Sequence, residues 1–159
     1  MRRIALIALL AVAAVGCGGS SKSAAPVVSG PGFSFTAPKG WPVTHRANGV
    51  TVGSDSNRLE VTVFPLVKPY RAELFAAVVR ELTVRMSDVA SREGGTVSGT
   101  GVAVAAGIKS HVWRLAVGDH VDEYTFVLSG RREYQLLCRR PSGGSDQACK
   151  TLVASFVLV

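Results

Sequence analysis

Residues 108–140 read IKSHVWRLAVGDHVDEYTFVLSGRREYQLLCRR. Apolar and polar residues alternate along three runs, separated by Gly118-Asp119 and Gly130-Arg131-Arg132. A period of two puts successive side chains on opposite faces of a strand. Trp113, Leu115 and Val117 share one face of the first run, Tyr124, Phe126 and Leu128 one face of the second, and Tyr134, Leu136 and Cys138 one face of the third. The breaks between them are short and glycine-bearing, as hairpins require. The stretch therefore predicts an antiparallel meander, and the fold is built around it.

Upstream, Thr96 to Ala105 adds a further strand, ended by Ala106-Gly107. Arg71 to Arg92 reads as the one long helix: Phe75, Val78, Val79, Leu82, Met86 and Val89 recur at helical spacing and form an apolar face. Glu73, Arg80, Arg85 and Asp88 are placed largely off that face, and Gly94-Gly95 stops the helix. Before the helix come Phe33 to Thr36, Val50 to Gly53 and a strand carrying Leu59, Val61 and Val63 on one side. Downstream of the meander, Pro141-Ser142-Gly143-Gly144 forms a loop and Ser145 caps a final helix, Asp146 to Phe156. Strands, long helix, meander and short helix in that order predict an α+β sandwich with a mostly antiparallel sheet.

The amino terminus gives an address. Arg2-Arg3 precede the uncharged apolar run Ile4 to Val15, which is short for a membrane span, and Ala14-Val15-Gly16-Cys17 follows. The pattern resembles a bacterial lipoprotein signal peptide with its lipobox, although Ala14 stands where leucine is commoner. An ordinary cleaved signal with an incidental Cys17 is the competing reading. The resemblance implies cleavage after residue 16, a diacylglycerol thioether on Cys17 with further acylation such as palmitate, and residence on the extracytoplasmic face of the cell membrane. Two or more acyl chains anchor stably where one does not. Residues 17–32, rich in Gly, Ser, Ala and Pro, read as a flexible tether, and residues 33–159 as one domain.

The chain has 18 basic and 11 acidic residues; without Arg2 and Arg3 the balance is 16 against 11, a net +5. No nucleic-acid motif accompanies this charge, so outside the cytoplasm its natural partners are anionic lipid, wall polymer or acidic protein surfaces. Cys17 takes lipid. Cys138 and Cys149 remain, and in an oxidising compartment such a pair reads as a disulfide. A metal or redox pair is the alternative, disfavoured by the spacing and by the lack of a nearby histidine.

The segment Phe33-Ser34-Phe35-Thr36-Ala37-Pro38-Lys39-Gly40-Trp41 resembles the strand, Pro, x, Gly-Trp opening of PsbP-like domains. The run Tyr124 to Leu128, the hairpin after it, Gly107 and the closing Ser155-Phe156 are also similar, and the order of elements resembles small actinobacterial lipoproteins of the LpqN/LpqT type. This resemblance covers nearly all of residues 33–159. It implies an α/β/α sandwich and a role as a binding or assembly accessory, and it brings no catalytic residues.

Other chemistry is sparse. His45 is an edge or solvent histidine, and His111 alternates onto the Trp113 face. His120 and Asp122, two apart on a strand, offer two metal ligands without a third, so no metal is assigned. Glu60, Glu123 and Glu133 fall on different strands, Gly99-Thr100-Gly101 lacks the rest of a nucleotide loop, and no nucleophile elbow occurs. No cofactor is implied. The best surface candidate is Arg131, Arg132, Arg139, Arg140 and Lys150, expected to converge around the hairpin and the disulfide and to contact an anionic partner. The expectation is a non-enzymatic, lipid-anchored binding accessory for an envelope protein or component. A carrier of a small apolar ligand, with a pocket between helix 71–92 and the sheet lined by Val78, Leu82 and Met86, is the alternative. An envelope enzyme comes third.

Overall fold

The computed structural model describes residues 25–159. The lipobox, Cys17 and most of the expected tether lie outside the described residues. Ten strands and two helices follow in the order β1 (Val27–Gly30), β2 (Phe33–Thr36), β3 (Val43–Arg46), β4 (Gly49–Ser54), β5 (Asn57–Pro65), α1 (Phe75–Arg92), β6 (Thr96–Ala105), β7 (Ile108–Val117), β8 (His120–Ser129), β9 (Arg132–Pro141), α2 (Gln147–Ser155) and β10 (Val157–Leu158). A 3₁₀ turn, Ala72–Leu74, leads into α1.

Seven strands form one antiparallel sheet in the order β3-β4-β5-β9-β8-β7-β6. Two meanders meet at β9, and the α1 segment carries the chain from β5 to the far edge. The hairpins are tight, two residues each, and at β7–β8 and β8–β9 the first of the two is a glycine with φ of +55°, Gly118 and Gly130. This sense of turn matches the twist of the strands it joins, and only glycine takes it without strain.

α1 covers one face. Leu82, Met86 and Ala90 are buried against Trp113, Leu115, Val117 and Phe126. Trp113 Nε1 donates to Thr83 Oγ1 at 3.3 Å, which satisfies the indole where it is sealed from water. The helix ends in paired bonds from Gly95 N to Ala90 O (2.8 Å) and Gly94 N to Ser91 O (3.2 Å), with Gly94 at φ +70°. The double glycine read as a stop thus closes the orphan carbonyls. Arg85 departs from the expectation that it lies off the buried face. Its Nη2 donates to Glu133 Oε1 at 2.7 Å and Gln135 Oε1 at 3.1 Å, and its guanidinium sits 4.9 Å from the Phe126 ring centre. It pins the helix to β9.

The other face carries α2 and a small sheet in the order β1-β2-β10. Phe33, Phe35, Tyr134 and Phe156 form its centre, with ring centres 5.8–6.3 Å apart. The architecture is the expected α+β sandwich, with helices on both faces of the large sheet. The tether assigned to residues 17–32 is corrected at its end: Val27–Gly30 is a strand paired with Phe33–Thr36. Only Val28 of β1 is buried, so the segment lacks an alternating pattern, and its strand depends on pairing with β2. β10, two residues long, likewise has no pattern to read and depends on the same partner.

Cys138 on β9 and Cys149 on α2 are joined, with sulfurs 2.01 Å apart and both residues buried. The bridge closes a loop of sequence separation 11 and ties α2 to the central strand. Chain entropy alone assigns it about 3 kcal/mol. Replacing both cysteines with alanine is expected to lower the unfolding free energy by about that amount; denaturant titration of wild type and double variant measures the difference.

Candidate functional site

The five basic residues do not form one surface, which corrects the expectation that they converge. Arg131 and Arg132 lie at the hairpin end of β9, and Arg139 and Arg140 at the other. Seven residues of strand, about 23 Å, separate Arg132 from Arg139. Alternation sends Arg139 to the α1 face and Arg140 to the α2 face. Arg131 Nη2 donates to Val67 O at 2.7 Å, while Leu66 N and Tyr70 N donate to Arg131 O and Gly130 O, so the hairpin clamps the loop before α1. Lys150 Nζ is 3.0 Å from Asp146 on its own helix. Among the described residues each cation but Arg132 already serves a local contact.

Arg139 is the most committed. Its Nε and Nη2 both donate at 2.7 Å to the carboxylate of Asp122, which is fully buried, and Nη2 lies 3.8 Å from Glu93 just past α1. The hydrogen bonds to Asp122 raise the pKa of the guanidinium further. His120 completes the group: its buried Nε2 has no hydrogen-bond partner and stands 3.9 Å from Asp122 Oδ2. Glu93 is therefore the third residue that the His120–Asp122 pair lacked in the sequence, and ligand atoms of the three lie within 4.8 Å of one another. The signal was unreadable in the sequence because Glu93 is 27 positions away, beyond a helix end and two strands. The guanidinium of Arg139 already takes both Asp122 oxygens, so the trio is closed on a side-chain cation and does not stand as a metal site.

Tyr124 borders this group. Burial, followed by Asp122 and Glu93, pushes its pKa up to about 12 from 10.0. A folded pKa above the unfolded one means that the native state holds the phenol proton more tightly. The corresponding stability is full below pH 10 and is lost as pH rises to about 12. Tyr124→Phe is expected to remove this part of the alkaline loss, read from denaturant midpoints across that range. For the ion pair itself, Asp122→Leu and Arg139→Met are each expected to cost about 3–5 kcal/mol, with the two combined costing less than the sum. A double-mutant cycle measures this.

The other histidines are isolated. His45 is exposed on β3. The His111 ring centre lies 4.5 Å from that of Trp113, tilted by 48°, and desolvation lowers its pKa. Glu60, Glu123 and Glu133 pair with Arg58 and Arg46, with Arg114 and with Arg85 respectively, far from any shared centre. The pocket expected between α1 and the sheet is filled: Leu82 and Met86 pack with Trp113 and Phe126, and Val78 packs against the same cluster.

Space opens instead on the α2 face, beside the disulfide. A cleft of about 430 Å³ is lined by Ala37, Pro38, Trp41, the two bridged cysteines and Ala148, with Arg140 at its side. The loop after β2 presents Trp41. Gly53 is what lets the indole lie there: a Cβ on Gly53 would meet Trp41 Cε3 at 2.7 Å, and its φ of +101° is foreign to other residues. Arg140 Nη1 donates to Gly144 O at 3.1 Å, while its buried Nε has no partner among the described residues. The wall is mostly apolar, with Asn57, Ser145, Gln147 and Thr151 as its polar members, and two arginines border it: Arg139, already held by Asp122, and Arg140. Such a surface binds apolar groups, particularly ones carrying an acceptor or an anion. Sequence reading missed it because its parts come from the loop after β2, the start of β5, β9 and α2; the only local signal was Gly40-Trp41, an aromatic in a turn.

No protein-family model matches the chain, and no curated protein is similar to it. Solved structures are. The solution structure of cyanobacterial PsbP (CyanoP) from Synechocystis sp. PCC 6803 superposes with a TM-score of 0.62, at 15% identity, over 90% of this chain and 97% of that one. The chain has a PsbP-like fold. A crystal structure from Bacteroides thetaiotaomicron VPI-5482 is more distant, at TM-score 0.46 and 12% identity over 80% of this chain and 45% of that one, and carries no argument. The shared fold agrees with the one that the resemblance carried by residues 33–41 and 124–128 implied.

Proposed function

We propose that this chain is a lipid-anchored extracytoplasmic lipoprotein, of the LpqN/LpqT kind, that acts as a non-enzymatic binding or assembly accessory for an envelope protein or component. The observation that carries the reading is the cleft at Trp41, an apolar recess on a PsbP-like fold. Its walls belong to elements locked by a disulfide and by the hydrogen bond from Thr36 N to Ser155 Oγ. A rigid apolar recess beside a hydrogen-bonding cation suits docking of an apolar segment. The buried carboxylates support the same reading: Glu133 and Asp122 are taken up by Arg85 and Arg139, in pairs that fix α1 and β8 against β9.

The anchor fits this placement. Ala25 lines the cleft and stands eight positions after Cys17. Fully extended, that length spans at most about 28 Å. A lipid on Cys17 therefore keeps the cleft near the membrane surface.

The carrier reading has one observation in its favour: the cleft volume falls in the range of small-ligand sites, roughly 300–1,000 Å³. It moves the ligand from the α1 side to the α2 side. Purification of the full-length protein from membranes, followed by mass spectrometry, separates the two. The accessory reading expects one dominant protein, lost on Trp41→Ala; a bound apolar molecule without a protein supports the carrier. For the anchor, Cys17→Ala is expected to move the protein out of the membrane fraction, and its retention there would refute lipid attachment at Cys17.

A further inference from the structure

The lining of the Trp41 cleft has a charge bias. It contains no aspartate or glutamate, and its two charged side chains are both arginines. Arg139 is neutralised by Asp122, through two bonds of 2.7 Å from Nε and Nη2. Arg140 makes no ion pair among the described residues. Its Nη1 donates to the Gly144 carbonyl, which leaves the Nε–Nη2 edge, the edge with which Arg139 holds a carboxylate. Lys39 adds a second cation. It stands in the loop between the cleft residues Pro38 and Trp41, is exposed, and likewise has no ion pair among the described residues.

The acids at this end of the sheet are spent or placed elsewhere. Asp146 is close enough to feel the charge of Arg140, but its bond, of 3.0 Å, is with Lys150. Asp55 and Asp119 line a separate recess with His120 and Arg139. A guanidinium with a buried, unbonded nitrogen beside an apolar wall gains most from a carboxylate, which it holds through charge-assisted hydrogen bonds. The same charge repels a basic occupant. The uncharged polar members of the lining narrow the choice further. Asn57, Ser145 and Gln147 are exposed, and their amide and hydroxyl groups match the main chain of a peptide. An alkyl chain has no use for them.

We infer that the segment docking in this cleft is acidic: an aliphatic or aromatic side chain enters beside Trp41 and Ala148, and an aspartate or glutamate of the same segment pairs with Arg140, with Lys39 at the rim. The inference rests on the accessory reading and names the chemistry of the partner. The apolar side chain supplies burial, and the carboxylate sets orientation and excludes basic competitors.

The probe is a random nonapeptide library displayed on phage, selected on the full-length protein in lipid nanodiscs and in parallel on Trp41→Ala. Wild type is expected to enrich peptides in which Asp or Glu neighbours Leu, Ile, Val or Phe, and Trp41→Ala to enrich none of them. For such a peptide, Arg140→Gln is expected to weaken binding about tenfold, the size of a lost charge-assisted hydrogen bond. Lys39→Glu is expected to weaken it in the same direction, and since Lys39 is exposed in a loop this variant leaves the core alone. Neutral or basic peptides enriched on wild type and lost on Trp41→Ala would overturn the acidic specificity while leaving the cleft as a docking site. Unchanged affinity for an acidic peptide in both Arg140→Gln and Lys39→Glu would overturn it in the same way. Equal enrichment on wild type and Trp41→Ala, or none on either, would overturn the inference together with the accessory reading; dodecanoate bound by wild type and not by Trp41→Ala would then assign the cleft to a carrier.

Discussion

Everything in this molecule depends on β9 being buried on both faces. It lies inside the large sheet between β5 and β8, joining the two meanders. Its even-numbered residues Tyr134, Leu136 and Cys138 meet the small sheet and α2. Its odd-numbered residues Glu133, Leu137 and Arg139 meet α1 or the segment that follows it. A strand with two buried faces cannot slip by one residue without exchanging all of these contacts. Register is thus fixed by an ion pair at each end on one side and by a covalent bond on the other.

This arrangement explains why so many charged groups are unavailable for chemistry. A buried carboxylate is costly unless it is paired and hydrogen-bonded. Asp122, with no exposure, meets that condition only through both nitrogens of Arg139. Glu133, also buried, meets it through Arg85. These pairs orient α1 over the sheet. The cleft at Trp41 lies on the opposite face, where packing is mostly apolar and aromatic, and is free of that demand. The ion pairs thus hold one face, and the disulfide borders the open recess on the other.

Much of the fold was legible in the sequence because its signals are local. The meander showed in the alternation of residues 108–140, α1 in its apolar face and double-glycine stop, and the bridge in two cysteines. β1 and β10 were not, since a strand with one buried residue, or with two residues in all, has no period to read. The site was less legible. Arg131 to Arg140 looked like one patch because sequence proximity is not spatial proximity along an extended strand. Arg85 looked like a solvent residue because its partner, Glu133, lies on another element. The cleft has no local signature beyond Trp41, whose position depends on the bare backbone of Gly53 twelve residues later.

The central claim is that the cleft beside the Cys138–Cys149 bridge is where a partner docks. Site-specific photocrosslinking in cells tests it most directly, with the reactive group placed in turn at Trp41, at Ala148 and, as a control, at exposed Lys68 in the loop clamped by the hairpin. The account predicts one shared crosslinked envelope protein from Trp41 and Ala148, and none from Lys68. Crosslinks from Lys68 alone, or equally from all three positions, would contradict it.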